Sequence, residues 1–185
     1  MLKKISIIVL IIGLTLFYSY WQRKSFESSL KVTEFSLNRL PDASYLNLDN
    51  TPYTISKNQS KVIVVHFWAT WCGPCEAELP ELIALIKRYE NNDKISFYLV
   101  AVNDDLIKVK KHLKTLVYPQ PPLVEFLLDN SGLHQMKFGT TKVPETYVFS
   151  GDLRLLKKYS GPQDWNKPMF FQVFDEFIQM NGLRL

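Results

Sequence analysis

Val62-Ile63-Val64-Val65-His66-Phe67-Trp68-Ala69-Thr70-Trp71-Cys72-Gly73-Pro74-Cys75-Glu76-Ala77-Glu78-Leu79-Pro80 is the stretch that decides how this chain is read. Its first seven residues are a nearly unbroken β-branched and aromatic run. That is the pattern of a strand covered on both faces, as in a parallel sheet. From Cys72 onward the pattern is helical. Leu79, Leu82, Ile83, Ile86 and Tyr89 fall on one stripe, with Glu76, Glu78 and Glu81 early and Lys87 and Arg88 late, as the helix dipole favours. Pro80 lies inside this helix and predicts a kink.

Cys72 and Cys75 stand three apart at the strand-to-helix junction, and they are the only two cysteines of the chain. The spacing puts both sulfurs on one face of the first helical turn, where they can close a small ring disulfide. No second pair exists to complete a four-ligand zinc site, and no further cysteines exist for a structural disulfide framework. Cys72 sits at a helix N-terminus, where unpaired N–H groups and the dipole favour a thiolate. A thiolate there would open a partner disulfide, and Cys75, one turn deeper and more buried, would resolve the mixed disulfide. Cys75 then needs a base to take its proton.

Working outward, Tyr45-Leu46-Asn47-Leu48 and Tyr53-Thr54-Ile55 predict a small hairpin within residues 42–56, turning at Asp49-Asn50. A strand is predicted from Phe97 to Val102 and a helix over 104–116, so that residues 62–116 read as strand–helix–strand–helix, a parallel unit. Pro119 to Pro122 read as a stiff loop, Val124 to Leu128 as an edge strand, and Ser131 to Lys137 as a short helix. Glu145 to Phe149 and Leu153 to Tyr159 predict a hairpin about Gly151-Asp152. A last helix over about 167–180 carries Phe170, Phe174, Phe177 and Ile178 on one face, with Gly182 just past its end. His112 and His134 read as isolated surface residues, and Lys108, Lys110, Lys111 and Lys114 as a solvated basic face.

The 185 residues carry 22 basic and 18 acidic side chains, a net charge of +4. Five of the basic residues and one acidic residue fall in residues 1–31, which leaves 17 of each sign in the rest. The excess therefore flanks an apolar segment, and no basic stripe remains to indicate nucleic acid. That segment, Ile5 to Trp21, is 17 residues long and follows Lys3 and Lys4. It is at the lower length limit for a membrane span, and Tyr18, Tyr20 and Trp21 close it as an interfacial belt would. With no small-x-small cleavage site before Gln22-Arg23-Lys24, an uncleaved signal anchor over residues 1–24 is expected, with a linker at 25–35 and a folded domain at 36–185. No nearby cysteine exists for a lipid anchor.

Phe67-Trp68-Ala69-Thr70-Trp71-Cys72-Gly73-Pro74-Cys75 resembles the thioredoxin active-site segment. The continuation Glu76-Ala77-Glu78-Leu79-Pro80 resembles the TlpA/ResA/DsbE (CcmG) branch, commonly membrane-anchored extracytoplasmic thiol reductases, many serving cytochrome c maturation or copper-site assembly. The resemblance covers roughly residues 36–180. It implies an α/β thioredoxin fold, a central mixed sheet flanked by helices with an N-terminal hairpin, behind one transmembrane anchor. Cys72 and Cys75 match the redox pair. Trp71, Gly73, Pro74 and the Val143-Pro144 segment match the surface that docks a client, Pro144 as the family's cis-proline. Glu145 and Thr146 extend that match. Glu78 matches an acidic residue that tunes the cysteines and moves a proton, against its other reading as a solvated helix-face glutamate. His66 departs from the pattern, since thioredoxins have a buried aspartate there and the branch often has asparagine. It reads either as a packed, hydrogen-bonded histidine or as a proton acceptor for Cys75, able to lower thiolate pKa values if charged.

The expected protein is thus a monomeric, single-pass protein of the bacterial inner membrane, with its catalytic domain in the periplasm. It would reduce disulfides of client proteins with electrons from a membrane thiol donor, with no metal and no cofactor, since nothing in the sequence forms a nicotinamide or flavin site. Three rivals stand beside this reading. An oxidase of the same fold is disfavoured by Gly73-Pro74, a dipeptide like that of thioredoxin, whose potential is about −270 mV, against about −120 mV for strong oxidants. A Cu(I) metallochaperone could use two thiolates but lacks a nearby third soft ligand. A peroxidase would need its threonine elsewhere than in Thr70-Trp71-Cys72.

Overall fold

The computed structural model describes residues 13–15, 17–22, 37–55, 62–118 and 123–180. The chain divides into two units, Met1–Ser36 and Leu37–Leu185. In the first, residues 13–15 and 17–22 are helical, and no described helix is long and apolar enough to cross a membrane. The remainder of the Ile5–Trp21 run and the linker at 25–35 lie outside the described residues, as do Pro119 to Pro122 and Gly182.

The second unit is built on one seven-stranded sheet. Its strands are β1 (Ser44–Asn47), β2 (Pro52–Thr54), β3 (Val62–Trp68), β4 (Ile95–Val102), β5 (Val124–Asp129), β6 (Glu145–Ser150) and β7 (Leu155–Ser160). The helices are α1 (Gly73–Arg88), α2 (Leu106–Leu113), α3 (Leu133–Lys137) and α4 (Pro168–Met180). The strand order is β2-β1-β5-β4-β3-β6-β7. β3, β4 and β5 run parallel, and β6, β7, β1 and β2 are added antiparallel on either side. Every residue of β3 and β4 is buried, which is why both read as continuous apolar runs.

The sequence reading of residues 124–128 as an edge strand is corrected. β5 lies inside the sheet, between β4 and the hairpin strand β1. A short run gives no signal of how many neighbours it pairs with, and the hairpin that covers this side lies about 80 residues away in sequence. The last hairpin turns at Gly151-Asp152 as read, the Leu153 N–H donating to the Ser150 carbonyl at 2.8 Å, and its second strand begins at Leu155. Leu153, directly after the turn, is left-handed at φ 70°, and the Ser150 hydroxyl caps the turn by accepting from the Arg154 N–H at 3.1 Å. In the first hairpin the Asn47 side chain does this work, its Oδ1 accepting from the N–H groups of Asp49 and Thr51 at 3.0 Å each. α1 stays helical through Pro80. α2 is shorter than read because Asp105 caps it, its carboxylate accepting from the Ile107 and Lys108 N–H groups.

Aromatic side chains fill the core. The Phe67 ring sits edge-on to Phe138 at 4.9 Å and to Tyr147 at 5.9 Å, while Phe174 of α4 meets Tyr89 at 6.4 Å and Phe97 at 6.2 Å. His112 and His134 are half-buried rather than surface residues. His112 packs on Trp68 at 5.6 Å between centroids, and His134 lies edge-on to Tyr45. Phe174 is fully buried whereas Met169 on the same helix is 54% exposed. Phe174→Ala is therefore expected to cost about 3–5 kcal/mol of unfolding free energy, and Met169→Ala less than about 0.5 kcal/mol, in urea titrations of the two variants.

Candidate redox site

β3 ends at Trp68 and α1 begins at Gly73, and the four residues between them form a pinned corner. The Asp104 carboxylate, at the end of β4, accepts from the Thr70 N–H at 2.6 Å and from its hydroxyl at 3.0 Å. The indole of Trp71 donates to the Asn103 carbonyl at 3.1 Å, which leaves the ring 60% exposed beside the cysteines. Asp104 and Asn103 were not singled out from sequence. The one available signal is the Asp104-Asp105 pair, since a helix needs one cap and the second aspartate is left for another task.

Cys72 is the N-cap of α1, and Cys72 and Cys75 are joined as a disulfide. The Sγ of Cys72 accepts from the Cys75 N–H at 3.3 Å. Upon reduction the same N–H faces a thiolate, reinforced by the helix dipole. Cys72 is 7% exposed and Cys75 is not exposed, so an attacking partner reaches only the first sulfur. Gly73 and Pro74 are exposed beside it, and a Cβ on Gly73 would meet nothing within 4 Å, which leaves open space for a client backbone.

The Val143–Pro144 bond is cis, as expected, and the Val143 carbonyl lies 3.8 Å from the Cys72 Sγ. In the disulfide that sulfur has no hydrogen to donate, so the approach is a packing contact. The segment is anchored from behind. Gly161 donates its N–H to the Pro144 carbonyl at 2.9 Å, and Glu145 accepts from Tyr147 at 2.9 Å, Ser160 at 2.9 Å and Lys158 at 3.0 Å. Burial pushes the Glu145 carboxyl up, but these donors outweigh it and hold the group below its ordinary range.

Glu78 is buried, 4% exposed, on the same face of α1 as Cys75. The solvated reading of this residue therefore does not hold. Its Oε2 accepts from the Gln163 N–H at 2.7 Å and from the Trp165 indole at 3.2 Å. Its Oε1 lies 3.5 Å from the Nε2 of His66. Desolvation pushes Glu78 up to about 7 against the pull of those two donors, and Glu81 adds a like charge. His66 on β3 is buried, and its Nδ1 is 2.9 Å from the Thr146 hydroxyl on β6. Desolvation pushes its pKa down to about 3, so the imidazole is neutral at physiological pH. Its reading as a cation that stabilises thiolates is thereby corrected. Gln163 and Trp165 could not have been found from sequence, because they lie 85 and 87 residues from the carboxylate they hold.

What this arrangement does chemically is thiol–disulfide exchange. One sulfur is reachable and activated by a helix end, the second is sealed beneath it, and a carboxyl poised near neutrality stands on the same buried face. The chain is a thiol–disulfide oxidoreductase on a thioredoxin-like fold. It belongs to the redoxin family, whose model matches residues 36–173. The thioredoxin-like protein YneN of Bacillus subtilis (strain 168) is 29% identical over 143 residues, 77% of this chain and 79% of that protein. The thiol-disulfide oxidoreductase ResA of Bacillus cereus is 23% identical over 152 residues, 82% of this chain and 81% of that protein. The fold is similar to that of a thioredoxin-type protein from Neisseria meningitidis, with a TM-score of 0.64 at 22% identity over 78% of this chain and 92% of that one. Within the family the chain is of the TlpA/ResA/DsbE type, as its motif implied.

The raised pKa of Glu78 has a stability consequence. The folded state holds this proton where the unfolded chain has released it, so the contribution is full below the ordinary value of 4.5 and is lost as pH rises through about 7. His66 has the opposite sign, with its contribution present above the ordinary 6.5 and lost as pH falls toward about 3. Subtracting the Glu78→Gln variant from the wild type isolates the first effect. The difference in unfolding free energy is expected to fall by up to about 3 kcal/mol between pH about 4.5 and about 7, read from urea titrations along the pH series.

Proposed function

We propose that this protein is an extracytoplasmic, membrane-anchored reductase that opens disulfides in client proteins. The observation that carries the reducing direction is the neutral His66 beside Glu78. A strong oxidant needs its reduced form stabilised, by positive charge or donors near the thiolates. Here the buried histidine supplies no charge and the buried carboxyl, when ionised, repels a thiolate, so the disulfide is the favoured form and the dithiol gives up electrons readily. Gly73-Pro74, the thioredoxin-like dipeptide, fits the same direction. Cys72 attacks the client disulfide, the first client sulfur leaves, and Cys75 loses its proton and displaces the second. The client gains two electrons and two protons, and the protein is left as the Cys72–Cys75 disulfide. A thiol donor at the membrane restores the dithiol. The class of client is the one that the motif's resemblance implies, oxidised proteins on the route to extracytoplasmic redox centres such as c-type cytochromes or copper sites.

Equilibration of the full chain against glutathione or dithiothreitol buffers is expected to give a potential at or below about −220 mV, and a value near −120 mV would overturn the reductase reading. Membrane anchoring rests on Lys3, Lys4 and the Ile5–Trp21 run. In a bacterial host the full chain is expected to stay with membranes through a carbonate wash and to be digested by protease added to spheroplasts. Release by carbonate, or protection of the domain until lysis, would exclude that placement.

A further inference from the structure

Glu78 Oε1 and His66 Nε2 are both buried, and neither has a hydrogen-bond partner. They face one another at 3.5 Å, a few tenths of an ångström beyond a normal hydrogen bond. The other polar side-chain atoms of the two residues are taken. Oε2 is saturated by Gln163 and Trp165, and Nδ1 is engaged by Thr146. A proton leaving Cys75 for this carboxylate therefore has one place to land, Oε1, and it arrives facing an imidazole nitrogen.

We propose that His66 and Glu78 act as a single proton-holding pair for the resolving step, with Thr146 setting which imidazole nitrogen carries the hydrogen. This rests on the thiol–disulfide reading above and deepens it. In the empty pair the carboxylate is ionised, Nε2–H donates to Oε1, and the Thr146 hydroxyl donates to Nδ1. In the loaded pair Oε1 carries the proton from Cys75 and donates it to Nε2, while Nδ1–H donates to the Thr146 oxygen. The two forms differ by one proton, the one lost by the thiol. A hydroxyl suits the far end because it donates or accepts by rotating. The sheet places it there, since His66 and Thr146 are register partners across β3 and β6. The groups facing Glu78 are Gln163 and Trp165 from the segment before α4, His66 from β3, and Glu81 on its own helix. None but His66 can take up or release a proton at Oε1. His66 is thus a positioning residue, acting through Glu78.

Two variants are expected to move the pair in opposite directions. His66→Leu leaves an ionised Oε1 without a donor, which disfavours the carboxylate. Thr146→Val leaves Nδ1–H without an acceptor, which holds the hydrogen on Nε2 and favours the carboxylate. The resolving step can be followed by stopped flow as release of the second thionitrobenzoate from dithionitrobenzoate. Its pH midpoint is expected to rise by about 1 unit in His66→Leu and to fall in Thr146→Val, with the rate near neutrality about tenfold lower in each. A purely structural role would not split the two midpoints. In the wild type, the full chain labelled with ¹⁵N-histidine should show His66 passing from the Nε2–H to the Nδ1–H tautomer as pH falls through neutrality, while staying neutral. A single tautomer throughout, or midpoints that do not separate, would overturn the pair. If the wild type exchanged no disulfides at all, the reading of the protein as a reductase would fall, and the tautomer spectrum would still decide the pair.

Discussion

A carboxylate kept from water beside a disulfide is the constraint around which this site is arranged. Taking Glu78 out of solvent is unfavourable by several kcal/mol for the ionised form unless donors replace the lost water. The fold supplies two donors on Oε2, from Gln163 and Trp165, and places a neutral histidine opposite Oε1. The compensation is partial, and the carboxyl rests near neutrality rather than in the usual acidic range. Partial compensation is what a proton carrier needs. A fully satisfied carboxylate would never accept the proton of Cys75, and a wholly unsatisfied one would never release it.

The strand β6 connects the two halves of this chemistry. Its first residue, Glu145, is gripped by Lys158, Ser160 and Tyr147 and holds the Val143–Pro144 segment against the Cys72 sulfur. Its second residue, Thr146, faces His66. Neighbouring residues of one strand point to opposite faces of a sheet. One thus supports the client-facing surface and the other the buried proton site. A register slip of one residue between β3 and β6 would exchange these roles and destroy both.

Much of the architecture was legible in the chain itself. The all-apolar runs of β3 and β4, the switch to helical spacing after Cys72 and the charge order along α1 are local signals, set by side-chain period and by the helix dipole, and each was borne out. The reading failed where distant pairing partners decided. Val124 to Leu128 became an interior strand because a hairpin distant in sequence covers it.

The redox cysteines and their environment divide in the same way. Two cysteines three apart, at the start of a helix, determine thiol–disulfide chemistry from sequence alone, because spacing and a helix N-terminus are local properties. Whether Glu78 is a surface charge or a buried acid, and whether His66 is a cation or a neutral partner, was decided only by the tertiary structure. Both answers depend on how much water is excluded, and that is set by Gln163, Trp165 and Thr146, brought from 80 or more residues away. Desolvation belongs to the assembled volume around a group, and no stretch of chain carries it by itself.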